Sequence, residues 1–163
     1  MAGRGQITSS DTLTCTRIKV LGPDSIWQTA KHPLHYDKPK FTGVGPGLSF
    51  ALKLWENESE DSIGLVPAAV GGTSIKDWQK NNVYEKLDVK PYNDALQRTK
   101  LGITSGTFKG VVWHQGENDC KDPEFLKEYS RYFYRFVDSL KADLEVEQLP
   151  VVIGELGHFF YQK

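Results

Sequence analysis

Residues 62–74 read "SIGLVPAAVGGTS" and residues 108–119 read "FKGVVWHQGEND". In each, a short, nearly continuous apolar run stops at glycine and polar residues. Runs of this length without alternation are expected of strands buried on both faces, as in a parallel sheet. "LPVVIGEL" (149–156) has the same form. Amphipathic stretches lie between. "GPGLSFALKLWEN" (45–57) puts Leu48, Ala51, Leu52 and Trp55 on one helical face, with Pro46 in the first turn. Residues 123–142 carry the strongest helical pattern. Phe125, Tyr129, Tyr132, Phe133, Phe136 and Leu140 form a stripe that reads as core packing. A helix is predicted through Trp78, and another over 83–100 with a break near Pro91. "TCTRIKV" (14–20) reads as a short strand or extended arm. Residues 22–44, with Pro23, Pro33, Pro39 and Gly43, read as irregular loop. Strands alternating with helices predict an α/β sandwich with a parallel sheet. Ligands of such sheets bind beyond the carboxyl ends of the strands, so "GGTS" and "HQGEND" are expected to open on one edge.

The bulk composition narrows the partners. The 163 residues carry 39% hydrophobic and 25% charged side chains, with a formal net charge of −1. A near-neutral chain offers no electrostatic hold on nucleic acid or an anionic membrane, and neither is expected as a partner. No apolar run approaches the roughly 20 residues that span a bilayer. The opening residues do not read as a secretory leader. Cys15 and Cys120 make neither a disulfide framework nor a zinc pattern and read as ordinary thiols.

The chemistry lies at the strand ends. In "GGTS" the glycines let backbone N–H groups approach a ligand closely, and a following helical turn adds partial positive charge. A developing oxyanion or a phosphate suits such a loop, and so does a plain strand-to-helix turn. The loop has no lysine and lacks the phosphate-loop spacing. Ser74, three residues before Asp77, resembles a capping box. In "WHQGEND", Gln115 can donate its amide to an oxyanion and His114 can act as base or hydrogen-bonder. Glu117 and Asp119 can orient partners, and Gly116 permits a sharp turn. "GLSFA" (47–51) approaches a nucleophile elbow, but no strand precedes it, so Ser49 reads as a helix residue. "HPLH" (32–35) lacks the clustered carboxylates of a metal site. "ELGH" (155–158) sets Glu155 three residues before His158 at a strand end, a weak acid–base pair.

Five stretches taken together resemble the sialate O-acetylesterase-like carbohydrate esterases of the SGNH hydrolase superfamily. They are "MAGRG" (1–5), "PLHYD" (33–37), "GVGPGLSFA" (43–51), "IGLVPAAVGGTSIKDW" (63–78) and "GVVWHQGEND" (110–119), in order along the chain. The resemblance implies a three-layer α/β/α sandwich with a parallel sheet and serine-dependent hydrolysis of acetyl esters on sugars. It implies no cofactor and no metal. The family's nucleophile sits in a block reading G-Q-S-N-M-A-G-R-G, which places that serine two residues before Met1. Its catalytic Asp and His come from a late D-x-x-H block that does not occur in these residues. The chain therefore reads as a partial domain (1–163), without its first strand and C-terminal catalytic block. It is expected to be inactive alone and to expose sheet edges.

What carries over is the oxyanion hole. Gly71 matches the second-block glycine, a backbone N–H donor, and Gln115 matches the third-block amide donor. Arg4, Glu117 and His114 are expected as supporting residues, with Arg4 and Glu117 paired. His35 and Trp27 are candidates for a sugar-binding surface, and Trp113, inside a strand, reads as core. The expected partner is an acetylated carbohydrate. The alternative is a non-catalytic sugar-binding or interaction remnant of the same fold. A flavodoxin-like binder holding phosphate on "GGTS" leaves "WHQGEND" unexplained.

Overall fold

Gly22 turns the chain back on itself. Its N–H donates to Ile26 O at 2.9 Å, and Ser25, at φ 62°, closes the turn on Gly22 O at 3.1 Å. The computed structural model describes residues 2–12, 14–58 and 61–157. The turn joins β1 (Ile18–Leu21) to β2 (Trp27–Thr29), an antiparallel pair. Residues 22–44 were expected to be loop throughout, so β2 is a correction. "GPDS" between two apolar segments is the signal for it, because Pro and Asp favour the first positions of a turn. β3 (Ile63–Leu65) lies parallel to β1 on its other side, with Ile18 opposite Ile63. It is shorter than the apolar run 62–70.

The chain forms two compact units. The first comprises Met1–Gly71 with Leu101–Gly106, and the second Gly72–Lys100 with Thr107–Lys163. In the first, α1 (Pro46–Glu58) forms as its apolar period requires, and it contains Ser49. Leu48 and Ala51 are buried with Ile18, Val20, Ala30 and Leu34, and Leu52 and Trp55 pack against them.

In the second unit, β4 (Val111–Trp113) pairs in parallel with β5 (Val151–Ile153). These strands are not buried on both faces, contrary to the reading of their apolar runs. The paired residues Val112 and Val152 are 43% and 50% exposed. α3 (Pro123–Asp143) starts where Asp122 caps it, accepting from Glu124 N–H at 2.9 Å, with proline in its first turn. Its Phe136 and Leu140 are buried with Ile75, Trp78, Tyr92, Trp113 and Leu144. The Trp113 and Phe136 rings lie 4.7 Å apart, and Trp78 meets Trp113 edge-on at 5.2 Å. Trp113 is thus core, as its place in a strand implied.

Two helical expectations shorten. The helix through Trp78 is a single 3-10 turn, Ile75–Trp78. The helix expected over 83–100 begins only at Pro91, giving α2 (Pro91–Gly102). Proline disfavours the helical conformation in the residue before it, and Tyr84 instead bridges back to Val89. The architecture is mixed α/β, with parallel strand pairs in each unit and one antiparallel strand.

Candidate active site

The first unit holds a charged cluster built on the N-terminal loop. Asp37, whose side chain is 4% exposed, accepts from Arg4 at 2.8 Å and from Gly71 N–H at 2.8 Å. Burial would raise the Asp37 carboxyl, but the Arg4 guanidinium and the Gly71 N–H outweigh it and hold the carboxyl below its ordinary value. Lys38 Nζ donates to Gly71 O at 2.7 Å. Both polar groups of Gly71 are therefore engaged. Arg4 pairs with Asp37; among the described residues no hydrogen bond or ion pair is found for Glu117.

His35 lies two residues before Asp37, half-buried, and lines a cleft of about 260 Å³ with Gln28, Thr29, Lys31 and Tyr36. Burial pushes its imidazole down to about 4, so the ring is neutral at physiological pH. Trp27 does not line that cleft. Its ring lies where Gly64 and Gly102 lack a Cβ, and its Nε1 donates to Ser105 Oγ at 2.9 Å. The half-buried indole packs within the first unit.

The second unit holds a hydrogen-bonded network around Gln115, just after β4. Gln115 Nε2 donates to Thr73 O at 2.9 Å and to Asp119 Oδ2 at 2.7 Å. Its Oε1 accepts from the Tyr129 hydroxyl at 3.0 Å, and that hydroxyl accepts from Trp113 Nε1 at 3.0 Å. Burial pushes the Tyr129 phenol up to about 12, so it remains a donor. Asp119, 1% exposed, also accepts from Ile75 N–H at 3.0 Å. Gly116, at φ 138°, provides the turn that folds "GEND" back beneath the amide. His114 lies over Gly154, where the missing Cβ makes room for the imidazole.

The same network shapes "GGTS". Asn118 Nδ2 donates to Gly72 O, and Trp78 Nε1 donates to Thr73 Oγ1 at 2.9 Å. Asp77 accepts from Ser74 N–H at 2.6 Å and from Ser74 Oγ at 3.0 Å, the arrangement that the capping-box spacing anticipates. Ser74 is thus occupied in capping. Burial is the first cause that raises the Cys120 thiol, followed by the nearby Asp119 and Glu117 carboxylates. Glu155 is exposed at the end of β5, and His158 lies outside the described residues. Among the described residues, no cluster of His, Cys, Asp and Glu has the makings of a metal site. No described helix is long and apolar enough to cross a membrane.

The family model for "Carbohydrate esterase, sialic acid-specific acetylesterase" matches residues 1–163. The chain belongs to this family. The sialic acid-specific acetylesterases are carbohydrate acetylesterases, and so hydrolases. A probable carbohydrate esterase of Arabidopsis thaliana is 38% identical over 137 residues, covering 81% of this chain and 50% of its own length. Human sialate O-acetylesterase is 25% identical over 133 residues, covering 63% of this chain and 25% of its own length. The chain thus spans half or less of the length of these curated relatives. An X-ray structure of an Arabidopsis thaliana protein superposes with a TM-score of 0.83 at 32% identity, over 94% of this chain and 68% of that one. The crystal structure of NanS superposes with a TM-score of 0.72 at 21% identity, over 99% and 65%, a likeness of fold.

Set against this acetylesterase family, the network includes residues that sequence reasoning missed. Asp37, inside the quoted "PLHYD", was given no role, while Asp119 was read as able to orient partners without its partner being known. Their partners, Gly71 N–H and Ile75 N–H, lie 34 and 44 residues away in sequence. Tyr129 was read only as packing, since a hydroxyl does not disturb a helical stripe. Lys38 carried no signal at all.

Proposed function

We propose that these residues belong to a carbohydrate O-acetylesterase that removes acetyl groups from sugars, sialic acids foremost. The reaction is acyl transfer. A serine attacks the acetyl carbonyl, a histidine held by an aspartate takes its proton, and backbone and amide N–H groups stabilise the oxyanion. The match of the family model to residues 1–163 carries this reading. These residues contribute the stabilising side of the site, and they contain neither the G-Q-S-N serine nor a D-x-x-H pair. The fold proposed for the whole domain is a three-layer α/β/α sandwich with a parallel sheet.

Within this chain Gly71, once its N–H is released from Asp37, supplies a backbone donor, and Gln115 supplies an amide. Arg4, Glu117 and His114 support the loops, and His35, at its cleft, contacts sugar. Both N–H hydrogens of Gln115 already have acceptors in Thr73 and Asp119, so one must be released before the amide donates to an oxyanion. That same engagement favours the second reading, a non-catalytic sugar-binding remnant.

The test is release of acetate from O-acetylated sialic acid. The 163 residues alone are expected to give none. The same residues, extended by the flanking coding sequence, are expected to turn over and to be labelled by a serine-hydrolase probe. In that extended protein, Gln115→Ala is expected to lower kcat about 10²–10³-fold. Absence of labelling and turnover in the extended protein would establish the remnant.

A further inference from the structure

The cleft of about 260 Å³ beside β1 and β2 lies wholly within the first unit. Val20 and Leu34, both part of the buried cluster there, give it an apolar wall, and Pro23 extends that wall. Ligand sites are mostly apolar with a few polar groups, and this volume is near their lower end. It suits one sugar ring rather than a chain of them. Lys31 is the only lysine or arginine of the lining, and no described aspartate or glutamate lines it.

The charge of the lining therefore depends on Lys31 and His35. Burial pushes the His35 imidazole down to about 4, which leaves it neutral. A neutral imidazole both donates and accepts, so it can meet a sugar hydroxyl without adding charge. Lys31 is exposed, and its ammonium has no hydrogen bond or ion pair among the described residues. Other charged groups of the same segments are already committed. Lys38 donates to Gly71 O at 2.7 Å, and Arg4 is paired with Asp37 at 2.8 Å. Asp24, next to Pro23 in the turn, accepts from Ile26 N–H at 3.2 Å. Lys31 thus brings one uncompensated positive charge to a lining that is otherwise neutral.

We propose that Lys31 is a specificity-determining residue that binds the carboxylate of an acidic monosaccharide in this cleft, with His35 on a hydroxyl of the same sugar. The assignment rests on the sugar contact proposed for His35, and it adds the charge of the sugar and the residue that reads it. A neutral sugar of the same shape fills the apolar part and leaves the ammonium in water. The discrimination then comes from one exposed ion pair, worth at most about fivefold in affinity and screened by salt.

The test is binding to the 163-residue protein, with N-acetylneuraminic acid and its methyl ester as probes, since the ester removes the charge and keeps the ring. Histidine ring signals in NMR spectra report occupancy, and the His35 signal is identified by its absence in His35→Gln. The expected result is a saturable His35 shift with both probes. Binding of the acid is expected to be about fivefold tighter at low salt, with the preference shrinking as sodium chloride is raised. Lys31→Met is expected to bring the acid down to the affinity of the ester, and Lys31→Arg to keep the preference. Lys31 is exposed, so neither variant disturbs the core. Sodium acetate at the same concentrations is expected to leave His35 unmoved. An equal response to acetate makes the cleft a general anion site and overturns the assignment. So does equal affinity for acid and ester, a preference that survives Lys31→Met, or no His35 shift with either sugar. Acetate release is measured separately in the extended protein. Turnover there without a preference for the acid here removes only the role of Lys31, and the preference without turnover removes only the esterase reading.

Discussion

Asp119→Ala removes the carboxylate on which two segments of the second unit are hung. Asp119 is 1% exposed and accepts from Ile75 N–H at 3.0 Å and from Gln115 Nε2 at 2.7 Å. Alanine offers no acceptor, so a buried N–H and one amide hydrogen lose their partner. Hydrogen bonds to charged groups contribute about 1.5–3 kcal/mol each, which puts the loss at about 3–6 kcal/mol. For a chain of this size that corresponds to a fall in midpoint on the order of 10 °C. Asp119→Asn keeps one carbonyl oxygen as acceptor for Ile75 N–H and is expected to lose about half as much. Thermal and urea unfolding of the three proteins, followed by tryptophan fluorescence, measures the difference. Asp119→Ala within about 0.5 kcal/mol of the wild type, the usual range for surface substitutions, would refute the strut. So would Asp119→Asn falling as far as alanine.

Two further outcomes follow from the geometry. His35, with its imidazole pushed down to about 4 by burial, binds a proton less readily folded than unfolded, where 6.5 is its ordinary value. Its contribution to stability is present above about pH 6.5 and is lost as the pH falls toward 4. An NMR titration of the His35 ring is expected to show no protonation above pH 5, and a midpoint near 6.5 would contradict the burial. Phe136, 3% exposed and packed on the rings of Trp78, Tyr92 and Trp113, is expected to cost about 3–5 kcal/mol when replaced by alanine, read from urea midpoints.

Local pattern alone determined the elements whose cause is local. α1 and α3 were legible because a helix repeats every 3.6 residues, and Pro46, Pro123 and the stripe from Phe125 to Leu140 show that repeat without reference to any other segment. The Ser74–Asp77 cap was legible for the same reason, since both ends of the interaction lie within one turn. The motifs "GGTS" and "QGEND" marked where hydrogen-bonding groups gather. The strand lengths, the antiparallel β2 and the exposure of Val112 and Val152 were decided by partners in space, because an apolar run looks alike whether one face or two are covered. So were the partner of Arg4 and the engagement of Gly71 and Gln115. A buried carboxylate takes whichever N–H the fold brings within 3 Å, and Asp37 and Asp119 found theirs 34 and 44 residues along the chain. The sequence showed which polar groups stood at the strand ends. Only the tertiary structure decided which of them were already holding something else.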